Sequence, residues 1–377
     1  MSEIRVNTLG NESNTGGPVL SGITTFSGQQ YFIPPTGTTA ERPSGCPPGS
    51  IRFNTDSAHL EYWNGLVWLE FEASSEELGN QLVTNSAGGT GTRGLFAGGN
   101  APALKDEIEY ISISTLGNSQ DFGNLTAAQT GTTGCASRTR GIFANAALPD
   151  RVNNIDFVTI ASTGNAQDFG DATVSVAYRG SLSNSTRGVI AGGEQPNGTV
   201  IDVMDYITIA STGNAVDFGN LVGNRVFPGG GASSVRGIFA GGSGANEIGY
   251  ITISSTGNTQ DFGDLTAGTT TMTGCSNSTR CVFAGIRSPG YTNTMEFITI
   301  ASLGNAQDFG DQTTNSGGRG GAASSTRGVW AGGYGTPAFI NRIDFVTIPT
   351  TGNAIDFGDM SYTADRVAGC SNGHGGL

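Results

Sequence analysis

The stretch TRGVIAGG, Thr186 to Gly193, is followed by a loop and then by DYITIASTGNAVDFGN, Asp205 to Asn220. Its arginine recurs as Arg93, Arg140, Arg187, Arg236, Arg280 and Arg327. The aspartate of its DFG recurs as Asp121, Asp168, Asp217, Asp261, Asp308 and Asp356, so the unit is present six times. From each of these aspartates to the next arginine the step is always 19 residues, whereas arginine to aspartate takes 28, 28, 30, 25, 28 and 29. Most of that variation falls between AGG and the following Tyr or Phe. Each unit therefore has a fixed frame and one adjustable loop, the mark of stacked supersecondary units rather than of a single-core domain.

Within the unit, RGxFAGG reads as a strand ending in a Gly pair, and YITIAS or FVTIAS as a second strand apolar on both faces, as in a small sheet sandwiched between neighbours. TGN is a turn and DFG leads a third strand. The segment before the next arginine, such as MTGCSNSTR from Met272 to Arg280, predicts a fourth strand of small residues suited to crowding near an axis. Four strands, six copies and one adjustable loop predict an all-β fold, a six-bladed β-propeller over residues 77–377. Counting 19 residues on from Asp356 reaches Gly375 in GCSNGHGGL, which aligns with GCSNSTRCV from Gly274. This seventh copy of the small-residue strand is what a ring needs to pair its last blade with its first.

Composition agrees. Gly accounts for 61 of 377 residues without a Gly-X-Y period, which points to many tight turns between short strands. No window carries a sustained 3.6-residue apolar pattern, so almost no helix is expected. The formal net charge is −13, Lys105 is the one lysine, and the arginines are dispersed rather than gathered in a stripe, which argues against nucleic acid as a partner. The N-terminus has no signal-like apolar core and no apolar run reaches membrane-spanning length, so neither secretion nor membrane insertion is expected. Cys46, Cys135, Cys275, Cys281 and Cys370 show no metal-ligand spacing. Three of them share one repeat position with small residues such as Gly231 and Ala322, and read as small-residue packing.

Ahead of the repeats, residues 1–32 are polar and Gly-rich and read as an extended arm. Residues 33–76 hold a segment with five prolines, Ile33 to Ser50, and then three short strands in SIRFN, HLEYWN and LVWLEF. Thr55 to Ala58 forms the first turn and Asn64-Gly65 a type I′ hairpin turn, predicting a three-stranded meander whose Trp63 and Trp68 need a covering surface.

The run TTAERPSGCPPGSIRFNTDSAHLEYWNGLVWLEF, residues 37 to 71, resembles a module near the N-termini of phage tail-fibre and other virion proteins, above all those of marine and cyanobacterial phages. The TGNAQDFGD repeats are similar to repeats in such proteins. The repeat unit also resembles the kelch repeat: an apolar run, a Gly pair, a variable loop, a Tyr and a later aromatic. The Gly pair is Gly98-Gly99, Gly192-Gly193, Gly241-Gly242 and Gly332-Gly333, but Asn145-Ala146 and Gly285-Ile286 elsewhere, and Phe122, Phe169, Phe218, Phe262, Phe309 and Phe357 stand where kelch units carry Trp. The resemblance implies a virion component, attached to other virion proteins through residues 1–76 and homo-oligomeric, with a trimer favoured.

Catalysis finds little to use. DFG in six framed copies, without phosphate-loop or kinase elements, is structural, its aspartate bonding backbone amides of its own turn. The six arginines form bonds within or between blades, with a ring for anions as the alternative. His59 and His374 are the only histidines, so neither a Ser/His/Asp set nor a His-based metal site is legible, and no cofactor is expected. Function is then expected in the variable loops Gly192 to Asp202, Ala284 to Thr294 and Gly332 to Asn341, which a propeller gathers on one face. Glu194, Gln195, Asn197, Arg287, Tyr291, Tyr334 and Phe339 are the candidate binding residues, the aromatic ones as exposed platforms for sugars or for another virion protein. Three roles stay open: a tail fibre or adhesin that binds a host-surface glycan or protein, an architectural protein of capsid, neck or baseplate, and a cellular kelch-like scaffold.

Overall fold

The computed structural model describes residues 34–57, 59–70, 92–286, 290–335 and 337–377. The arm expected at residues 1–32 and the candidate Arg287 lie outside the described residues. The chain divides into two compact units, Met1–Leu78 and Gly79–Leu377. Among the described residues the structure is all-β apart from one 3₁₀ turn, Thr39–Glu41, and its strands form eight sheets of three or four strands.

In the first unit, Ile51–Asn54, His59–Trp63 and Trp68–Glu70 form the meander, and a two-residue strand, Thr36–Gly37, adds in parallel to its edge. The second turn departs from the expected two-residue hairpin. Trp63 pairs with Trp68 across a four-residue loop, because the Asn64 side chain accepts hydrogen bonds from the N–H groups of Leu66 and Val67. On one face of the sheet buried Glu61 meets Arg42 and Arg52, and Trp63 and Trp68 pack on each other beside them, 5.7 Å apart, with Arg52 over the Trp68 ring. Its other face, through the cross-strand pairs Ile51–Tyr62–Leu69 and Phe53–Leu60, is apolar, and Ile51 is 48 % exposed.

In the second unit six four-stranded sheets repeat one plan. The small-residue strand pairs with the arginine strand that follows it, so each sheet straddles the boundary between two sequence units. Gly180–Ser183, Arg187–Ala191, Val203–Thr208 and Val216–Asn220 make the third sheet in that order. The first sheet takes its small-residue strand from the far end of the chain: Ala368–Ser371 pairs with Arg93–Ala97. Buried apolar clusters lie between consecutive sheets. One joins Leu95 and Phe122 to Phe143 and Val158, and another joins Val329 and Ile343 of the sixth sheet to Phe96 and Ile111 of the first.

The framed residues make the joints. Each arginine guanidinium lies over the aromatic ring of its own sheet, 4.6 Å from the Tyr206 centroid for Arg187, and that ring meets the DFG phenylalanine edge-on, as Tyr206 does Phe218 at 6.0 Å. The same Nη1 donates to a carbonyl of the next sheet: Arg93 to Ile160, Arg140 to Ile209, Arg187 to Ile253, Arg236 to Ile300, Arg280 to Ile348, and Arg327 back to Ile113. The TGN turn forms the second joint. Gly213 N–H donates to Phe169 O of the preceding sheet, and the Asn214 side chain accepts from Asp171 N–H. That turn passes so close that a Cβ on Gly170 of DFG would lie 2.6 Å from Gly213 O. The DFG aspartates, in contrast, are exposed and make no side-chain hydrogen bond among the described residues. The role expected of them belongs to the asparagine of the neighbouring TGN turn.

Candidate functional site

The six small-residue strands line a cavity of about 140 Å³. Its walls come close because the side chains are small: a Cβ on Gly134 would lie 2.6 Å from Gly369 O, and one on Gly274 2.3 Å from Gly230 O. Around it Ala136, Ala232 and Ala323 alternate with Ser183, Ser276 and Ser371. Each serine hydroxyl accepts from the N–H and donates to the C=O of the neighbouring alanine, capping backbone groups that face the cavity.

One end of the cavity is covered by the last residues of the chain. Gly375 stands where a seventh arginine would, and its N–H donates to Ser276 O. His374 lies beneath, its Nε2 2.9 Å from Ala136 O and 3.2 Å from Ser183 Oγ. Burial pushes its imidazolium pKa down to about 4. The wall thiols are equally withdrawn: burial raises Cys135 and Cys275 to about 12 and pushes Cys281 and Cys370 up as well, so they stay protonated. The structure contains no disulfide among these residues.

The other end opens among the variable loops. Just ahead of the small-residue strands, Gly131, Tyr178, Phe227, Gly318 and Arg366 all have left-handed backbone, with φ between 55° and 69°. Their peptides link around the mouth, Arg366 N–H to Gly318 O, Gly131 to Arg366, Tyr178 to Gly131 and Phe227 to Tyr178. Tyr178 and Phe227 stack at 4.6 Å with 28° between planes, and the guanidiniums of Arg366 and Arg151 lie 5.3 and 5.7 Å from the Tyr178 centroid. Arg151 also pairs with Glu194.

The candidate residues fall into two groups on this face. Glu194 joins the mouth through Arg151, Gln195 is half-buried beside it, and Asn197 closes an exposed turn by accepting from Thr199 N–H. Tyr291, Tyr334 and Phe339 are half-buried rather than exposed, because they pack on one another: Tyr291 to Tyr334 at 5.5 Å and Tyr334 to Phe339 at 5.2 Å. Here the Gly332 to Asn341 loop folds into a small three-stranded sheet with Ser316–Gly317.

No protein-family model and no curated protein matches this chain.

Below the mouth lies a layer of buried carboxylates that was not singled out in the sequence: Glu109, Asp156, Asp205, Glu296 and Asp344. Each accepts from a hydroxyl of the preceding sheet, Ser361, Thr126, Thr173, Thr266 and Thr313 respectively. At the remaining joint the acid is replaced by Gly249 and the hydroxyl by Val222. Burial raises the Asp156 carboxyl above its ordinary value, against the hydrogen bonds of Thr126. In the third and sixth sheets the acid also meets a fully buried arginine, Arg179 to Asp205 and Arg319 to Asp344, both at 2.6 Å. A spacing signal was available: each acid stands twelve residues ahead of its DFG aspartate, each hydroxyl five residues after one, and Arg179 and Arg319 eight ahead of a framed arginine.

Proposed function

We propose that residues 92–377 form a closed, kelch-like six-bladed propeller in a non-enzymatic phage virion protein, a tail fibre or adhesin whose variable-loop face binds the host surface. Closure is supported by the C-terminal strand in the first sheet and by the arginine relay that returns from Arg327 to Ile113. The observation that carries the functional reading is the division of labour within the repeat. The framed arginines and TGN turns are committed to joints between sheets, whereas the residues the frame leaves free gather at one face with aromatic and arginine side chains.

The first unit serves attachment and assembly. A meander that buries Arg52 and Glu61 on one face and leaves Ile51 and Leu69 exposed on the other is marginal alone, and copies of this chain, three in the favoured arrangement, would bury that face against one another. One observation favours an architectural role in capsid, neck or baseplate instead: the half-buried Tyr291, Tyr334 and Phe339 offer a packed apolar knob of the kind protein partners use. Electron microscopy of the intact virion decides between them. Propellers at distal fibre tips are expected; propellers lying against capsid or tail tube would overturn the adhesin reading.

A further inference from the structure

The repeat supplies its own control for the cavity mouth. At one backbone position, two residues ahead of the small-residue strand, the second and sixth sheets use Gly131 and Gly318, both left-handed. Gly131 donates to Arg366 O and accepts from Tyr178, and Gly318 accepts from Arg366, so glycine serves in the rim there. Yet the same left-handed backbone is imposed on Tyr178 (φ 66°), Phe227 (φ 56°) and Arg366 (φ 55°), bulky residues that avoid it. Strain that the frame does not require, held at the mouth of a cavity, marks side chains kept for another purpose.

What these side chains offer defines a ligand. Tyr178 and Phe227 make a flat apolar surface of two stacked rings. Arg366 meets a carboxylate only through Nε, 3.6 Å from Asp365, and no acceptor for its two Nη groups is found among the described residues. Arg179 and Arg319, fully buried at the cavity wall, direct their Nη groups to Asp205 and Asp344, and the Nε of each has no hydrogen-bond partner. The Nε of Arg151, beside Tyr178, is also buried without one. Of the acids nearby, Glu194, Asp205 and Asp344 are engaged by arginine, and Asp365 faces the Arg366 Nε with its Oδ1 buried and without a hydrogen-bond partner. The site thus combines an aromatic platform with the unpartnered Nη groups of Arg366, and wants a ring with an apolar face that carries acceptors and a negative charge. We infer that the mouth at Tyr178, Phe227 and Arg366 binds a carboxylate-bearing sugar ring, a uronate unit of an acidic saccharide. The inference rests on the reading of this face as the binding face and names its ligand class.

The test is calorimetric titration of the full chain with trigalacturonate, with a neutral trisaccharide and with sodium acetate. Trigalacturonate should bind at least tenfold more tightly than the neutral sugar, and acetate should give no signal. Tyr178→Gly and Arg366→Gly install the residue that the equivalent backbone already carries at Gly131 and Gly318. Each should weaken uronate binding at least tenfold while leaving Tm unchanged or raised. Absence of heat with trigalacturonate, equal binding of the neutral sugar or of acetate, or variants that lose Tm and bind as the parent does, would each overturn the assignment. Attachment of the chain to host cells, undiminished in both variants, would remove this site and leave the adhesin reading standing. Uronate binding by a chain that is absent from virions would do the reverse.

Discussion

At the end of the cavity where the chain's last residues lie, every sheet repeats the same bonds: arginine over its aromatic ring and on to the next sheet's carbonyl, TGN turn against DFG glycine. At the other end the sheets differ from one another. Loops differ in length, the rim residue is Gly, Tyr, Phe, Thr or Arg, and among the described residues only the third and sixth sheets bury an ion pair. One end is held by sixfold repetition of modest bonds, and the other by a few bonds of high individual weight. Repetition spreads the cost of a single change over many joints; the second arrangement concentrates it.

The largest expected effect tests that concentration. Asp344→Ala strands the fully buried Arg319 and should cost about 3–5 kcal/mol in denaturant unfolding, whereas replacing the exposed Asp356 by Ala should change little. An Asp344→Ala loss below 1 kcal/mol would show that the ion pair is not a concentrated support. Next comes the pH response of the covered end. The folded pKa of His374 lies below that of an unfolded histidine, so its neutral form is favoured by folding. Stability should be unaffected by it above pH 6.5 and fall as the pH drops towards 4, by about 3 kcal/mol in all. His374→Gln should flatten that part of the profile, and an unchanged slope would place the sensitivity elsewhere.

Glycines sharpen the contrast. Gly219→Ala sets a Cβ 2.5 Å from Gly257 O within a joint and should cost about 2–3 kcal/mol. Gly198→Ala, in the Gly192 to Asp202 loop, meets nothing within 4 Å and should cost only the about 1 kcal/mol of its positive φ. Equal losses would erase the distinction between frame and loop. Arg187→Ala removes one of six equivalent clamps and should cost about 1–2 kcal/mol, against less than about 0.5 kcal/mol for Asn197→Ala. Thiol titration of the native protein gives the smallest signal: Cys135, Cys275, Cys281 and Cys370 should stay unreactive until unfolding.

Much of the frame was legible because its physics is local and repeated. Tyr206 and Phe218 keep a twelve-residue spacing in every copy and Arg187 stands a fixed 19 residues after the preceding DFG aspartate, so the members of each stack were legible although the variable loop separates Arg187 from Tyr206. The role of DFG was misassigned because an aspartate in a turn usually caps its own amides, whereas here the acceptor comes from Asn214 of another sheet, 43 residues from Asp171. Tyr291, Tyr334 and Phe339 read as exposed because they belong to two loops, Ala284 to Thr294 and Gly332 to Asn341, that only the fold brings together.

The sequence by itself determined the repeat, the strand content, the position of the adjustable loop and the spare small-residue strand, because periodic side-chain patterns encode which faces must be buried. The tertiary structure alone decided which residues share the mouth: that Arg366, near the end of the chain, comes to lie over Tyr178, and that bulky side chains there sit on backbone suited to glycine. Contacts between residues nearly two hundred positions apart follow from how the sheets pack against one another, and no local pattern records that distance.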